Sequence, residues 1–186
     1  MRYRTLLRTL ITIVLAATMS LAQERPPFSK AEVQELLKGG VSNARAARLV
    51  EQYGVDFDPT PVYLETLRTQ GATEVLLKAL PAAALKGHLT RGALFLSQDA
   101  NSQAEQEFRA ALAMDGANVA AHNGLGEALY EQEKWDAALA EYREGLRLNP
   151  ESAEAHRGVG RALVQKKDTD GGLAEMAPER GQIDPA

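Results

Sequence analysis

The apolar positions of this chain recur at helical spacing, most regularly across residues 119–152. There Leu125, Leu129 and Tyr142 mark the inner faces of two amphipathic helices joined by a short turn. Pro150 cannot continue the second helix, so the chain turns at Asn149-Pro150. Displaced 34 residues towards the N-terminus, the pattern falls on residues 85–118; displaced the other way, residues 153–163 repeat its first helix. His88, His122 and His156, the only three histidines, keep the same spacing. A fixed period of this length predicts helical hairpins that stack because none can bury its apolar face alone.

The residues in register resemble the tetratricopeptide repeat, whose pattern is W-x2-L-G-x2-Y, then A-x3-F, then P. The middle copy supplies His122, Leu125-Gly126, Leu129, Ala138, Tyr142 and Pro150. The first supplies His88, Gly92, Phe95, Ala104 and Phe108, with Arg91 at the Leu position and Gly116 at the Pro position. The third supplies His156, Val159-Gly160 and Leu163, then loses the pattern. Gly126 and Ala138 are small so that paired helices can approach closely.

The resemblance implies an all-α helical-hairpin solenoid, with two full repeats (85–118 and 119–152) and a partial third (153–167) inside a segment 82–167. It also implies a concave groove that takes a protein or peptide partner. At the family's groove-lining positions this chain places Lys86, Leu89, Asn123, Glu127, Tyr130, Glu131, Arg157 and Arg161. Some members grip a peptide's terminal carboxylate with Lys and Asn from the first repeat and basic residues from the third. Arg157 and Arg161 match the latter, one turn apart, while Leu89 and Ala93 do not match the former.

Ahead of the repeats, residues 23–81 predict a small module of four short helices. Ser29 and Glu32 form a capping box, with Phe28 and Val33 placed as a hydrophobic staple. Val33, Leu36 and Leu37 share the first helix's inner face, and Gly39-Gly40 stops it. A second helix starts near Ser42 and turns Ala46, Leu49, Val50 and Tyr53 inward before Gly54. Thr60 or Asp58 caps a third over residues 62–70, and a fourth covers about 73–80. The Gly-Gly-Val-Ser turn followed by Arg45 and Arg48 has the outline of a DNA-reading helix pair, but the turns of an ordinary helical hairpin also favour Gly and Ser, and the export signal and acidic balance described next favour the hairpin.

The N-terminus changes the picture. Arg2, Arg4 and Arg8 precede a short apolar run, and Ser20 and Ala22 offer small residues at −3 and −1 of a cleavage site. Residues 1–22 thus read as a secretory signal peptide, which predicts an exported chain, periplasmic or secreted, with no stable membrane span after cleavage near Ala22. Cleavage removes three arginines and no acids, taking the net charge from −4 to about −7, which disfavours a nucleic-acid partner. There is no cysteine and hence no disulfide framework.

No catalytic motif is present, and no cofactor or metal is implied. The histidines stand on successive repeats and read as packing residues. The expected function is a non-enzymatic scaffold or adaptor; a self-assembling repeat protein, or an adaptor attached to a functional N-terminal module, is the alternative. In residues 168–186, Gly171, Gly172 and Pro178 limit the third repeat's second helix to two turns before a flexible tail. That truncation predicts an edge at Val159, Leu163 and Val164 short of cover, through which a homo-oligomer can form. Ser102 and Glu105 are placed as the capping box of the first repeat's second helix.

Overall fold

Eight α-helices make up the described part of the chain, residues 26–166 of a computed structural model. They are α1 Lys30–Lys38, α2 Asn43–Tyr53, α3 Pro61–Thr69, α4 Glu74–Ser97, α5 Asn101–Met114, α6 Val119–Tyr130, α7 Trp135–Leu148 and α8 Ala153–Gln165. The expected signal segment, the second half of the third repeat and the tail lie outside the described residues. Two compact units meet along the chain at Ala84 and Leu85.

In the first unit, capping chemistry sets the helix starts. Ser29 Oγ accepts from the Glu32 amide while the Glu32 carboxylate accepts from the Ser29 amide, and Phe28 and Val33 on either side are buried. Phe28 also exchanges backbone bonds with Gly54 and Asp56, an isolated bridge to Val55. Gly54 takes φ 77° at the end of α2, a conformation that favours glycine. Thr60, rather than Asp58, caps α3 by accepting from the Tyr63 amide at 3.3 Å. Asn43 donates to Gly71 O at 3.0 Å and accepts from the Thr73 amide at 2.9 Å, tying the start of α2 to the turn before α4. Val33, Val50, Leu67, Leu76 and Leu80 fill the interior.

The fourth helix does not stop where the sequence predicts. Pro81 lies inside α4, which continues unbroken to Ser97 and so carries the first helix of the first repeat on its C-terminal half. An interior proline costs a helix about 3 kcal/mol. Leu76, Leu77 and Leu80 before it and Ala83 and Ala84 after it are all buried, and each large side chain returns about 1.5–3 kcal/mol. Packing outweighs the breaker.

The second unit is built by repetition. Ala104, Phe108, Leu125, Ala128, Leu129, Ala138, Leu139, Tyr142, Val159 and Ala162 form one core, with Leu89, Phe95, Leu96 and Leu163 packed against it. Phe108 sits against both Gly92 and Gly124, and Tyr142, one period later, against both Gly126 and Gly158. A Cβ at any of the four glycines would overlap the ring, so each large aromatic depends on a pair of glycines. The hairpin turns repeat as well. The amides of Ala100 and Lys134 return to Phe95 O and Leu129 O, and Asp99 and Glu133 take positive φ of 56° and 59°.

Two local expectations are corrected. Ser102 does not cap α5, whose N-cap is Ala100 with no side-chain bond; Glu105 is instead drawn to Lys134, Gln132 and Arg109. Val159 is only 1% exposed because it joins the core around Tyr142, leaving Leu163 half-buried and Val164 exposed at the edge.

Candidate functional site

The face built by α6 and α8 gathers most of the chemistry in the second unit. Glu127 and Tyr130 stand in the last turn of α6 and Glu131 caps its C-terminus, while Arg161 and Gln165 stand one turn apart on α8. The Arg161 guanidinium donates from Nη1 to both Glu127 oxygens, at 2.8 and 3.0 Å, and from Nη2 to Glu131 at 3.1 Å. Its carbon lies 4.0 Å from the centre of the Tyr130 ring, a cation–π stack. Tyr130 OH in turn accepts from Gln165 at 3.2 Å. Behind Tyr130 the only tryptophan, Trp135, meets its ring edge-on at 4.9 Å.

Beneath this layer Tyr142 donates to Glu127 at 2.6 Å. Burial, and then the Glu127 carboxylate, hold the Tyr142 phenol far above its usual range. Glu127 therefore receives a phenol from the core and a guanidinium from α8. Burial opposes the charge on Arg161, but its bond to Glu127 outweighs that and holds its pKa above the ordinary arginine value.

The groove positions predicted from sequence do not behave alike. Glu127, Tyr130, Glu131 and Arg161 come together in one network. Asn123 is 2% exposed and offers nothing to a partner: its amide donates to Ser152 and Glu154, and its carbonyl oxygen lies against Gly145. Leu89 is half-buried against the core, while Lys86 is exposed. Arg157 is exposed as well and is not drawn into the Arg161 network, so the two arginines do not act as a matched pair.

Sequence reasoning missed two features. One is Trp135, whose singularity was signal enough. The other is the partner of each histidine. His88 Nδ1 donates to Glu107 at 2.7 Å, and His122 Nδ1 to Glu141 at 2.8 Å, the acid lying 19 residues later in each case. Arg91 also donates to Glu107 at 3.0 Å. Burial raises the Glu107 carboxyl, but the bonds from Arg91 and His88 outweigh it and keep the group below the usual carboxylate range. On the other ring edge, His122 Nε2 meets Gly116 O at 3.2 Å and His156 Nε2 meets Pro150 O at 2.9 Å. His122 thus shares its acid contact with His88 and its carbonyl contact with His156, and these contacts are spent on structure.

Two family profiles cover this region: one described as tetratricopeptide repeat matches residues 89–145, and one described as TPR repeat matches residues 126–167. The hairpins match the tetratricopeptide repeat. Solved structures similar to the chain include MamA, residues 41 to the end, from Desulfovibrio magneticus RS-1, at 19% identity and TM-score 0.49, covering 80% of this chain and 90% of that one. A MamA RS-1 ArsTM double mutant matches at 22% identity and TM-score 0.48, covering 80% and 88%. MamA MSR-1 matches at 19% and 0.46, covering 79% and 90%. Curated proteins give no significant match. Tetratricopeptide repeats are associated with protein–protein contacts, and no described helix of this chain is long and apolar enough to cross a membrane.

Proposed function

We infer that residues 85–165 form an exported, non-enzymatic scaffold that holds a protein or peptide on the face of α6 and α8. The observation that carries this reading is the cluster of Tyr130, Trp135 and Arg161, half-buried and ringed by Glu127 and Glu131. Aromatic residues and arginine at the centre, with charge at the rim, are the composition of binding hot spots. Export rests on the signal-like layout of residues 1–22 and on the acidity of the remainder.

A photo-crosslinking residue placed at Tyr130 or Arg157 of the full chain should capture a discrete protein, whereas one at exposed Arg143 on α7 should not. Identical products from all three positions would remove the proposed face. A reporter enzyme active only outside the cytoplasm, fused after Ala186, tests export independently.

A further inference from the structure

Stacking of the hairpins does not call for the cluster on α6 and α8. One period earlier, the positions of Glu127, Tyr130 and Glu131 are held by Ala93, Leu96 and Ser97. That hairpin packs with these neutral residues, Leu96 lying against the core. The two carboxylates and the phenol ring are therefore additions to the repeat, and what they hold is a guanidinium.

The socket stands without its present occupant. Tyr142 OH holds Glu127 from the core at 2.6 Å, Gln165 holds the Tyr130 hydroxyl at 3.2 Å, and Trp135 braces the Tyr130 ring edge-on. None of these contacts passes through Arg161, whose own side chain is 40% exposed and has room to swing into solvent. The surrounding charge is negative. Residues 127–136 carry four carboxylates, and their one lysine, Lys134, is drawn away to Glu105. Asp136 pairs with Lys166 yet keeps 83% of its side chain exposed. An incoming carboxylate would have to replace Glu127 or Glu131 on Arg161 against this charge. An incoming guanidinium meets complementary charge and a ring face. Its planar fork matches paired carboxylate oxygens and stacks on an aromatic ring in a way the point charge of lysine does not.

Given the binding face inferred above, on which this rests, we propose that the α6–α8 face recognises an arginine side chain of its protein or peptide partner. Arg161 is then a built-in placeholder, which the partner's arginine displaces from Tyr130, Glu127 and Glu131. While Arg161 fills the socket, the partner's apparent affinity is reduced to the fraction of molecules in which the socket is open.

Trp135, the only tryptophan of the chain, lies against the socket, so its fluorescence reports binding without a label. Short alanine-rich peptides bearing arginine, lysine or glutamate are titrated into the full chain. The arginine peptide should bind Arg161→Gln at least about tenfold more tightly than the unaltered chain. Arg143→Gln, at an exposed site on α7, removes the same charge away from the socket and should give little gain. Arg161→Lys keeps the charge without the planar fork; it should give an intermediate gain and carries the test if Arg161→Gln does not fold. In either Arg161 variant the lysine peptide should bind several-fold more weakly than the arginine peptide. Unchanged or weaker arginine binding on loss of Arg161, an equal gain in Arg143→Gln, or a lysine or glutamate peptide bound as tightly overturns the placeholder and leaves the face standing. No response to any peptide overturns the placeholder as well, and the face itself falls only if the crosslinker at Tyr130 also captures nothing.

Discussion

Phe108 rests so closely on Gly124 that the space for a Cβ at that glycine is already filled by the ring. The two residues come from α5 and α6, and the same relation recurs one period later between Tyr142 and Gly158. Gly124→Ala and Gly158→Ala should therefore each destabilise the second unit by about 1–3 kcal/mol through overpacking. Gly116→Ala is the control: it is exposed and its nearest neighbour, Leu112 O, would be 3.7 Å away, so stability should stay level or rise slightly. Chemical denaturation of the three variants checks the contrast.

Tyr142→Phe keeps the ring against Gly126 and Gly158 but removes the hydroxyl that donates to Glu127. Hydrogen bonds to charged groups contribute about 1.5–3 kcal/mol, and Glu127 keeps its bonds to Arg161. The expected loss is at the lower end, about 1–2 kcal/mol. A loss below experimental error would mean that Arg161 alone satisfies Glu127.

Glu105 links α5 to the turn before α7, and bonds from Lys134, joined by Gln132 and Arg109, bring its pKa from 4.5 down to about 2. A folded-state value below the unfolded one means that this contribution is present above about pH 4.5 and is lost as pH falls towards 2. Glu105→Gln should flatten the dependence of stability on pH across that window. Denaturation midpoints that remain parallel to those of the unaltered chain would contradict it.

Glu133 holds a positive φ at the turn between α6 and α7, where residues with a Cβ are strained by roughly 1–2 kcal/mol. Glu133→Gly relieves that strain and loses some of the gain to unfolded-chain entropy, for a net stabilisation of up to about 1 kcal/mol. Thermal melts of Glu133→Gly and Asp99→Gly, at the equivalent turn, should shift in the same direction.

His88→Ala and His122→Ala should each cost about 1–3 kcal/mol, since each leaves a half-buried carboxylate without its imidazole. Glu107 keeps Arg91, whereas no second donor among the described residues bonds Glu141, so the His122 variant should be the worse of the two. Paired denaturation curves decide the order.

The period was legible in the sequence because the residues that enforce it are few and unusual. Histidine, glycine pairs and single aromatics at 34-residue spacing stand out in a chain rich in Ala, Leu and Glu. Ser29 and Thr60 were legible as caps because their hydrogen bonds are local. What escaped was non-local competition. Pro81 reads as a breaker until the burial of Leu76, Leu80 and Ala84 is known. Glu105 reads as a capping residue until Lys134, far along the chain, is seen beside it. Asn123 occupies a groove position by number, yet Ser152 and Glu154 draw its amide inward. The Arg161 stack on Tyr130 pairs two helices whose relative rotation no single-helix pattern contains.

The histidine-to-acid tie lies inside each hairpin and takes the same form twice, at His88 with Glu107 and at His122 with Glu141. A hairpin fastened to itself in this way behaves like an interchangeable vertebra. A duplicate of residues 119–152 spliced after Ser152 would bring its own fastening, its own aromatic and its own glycines. The column could lengthen by gene duplication without any neighbour having to be redesigned.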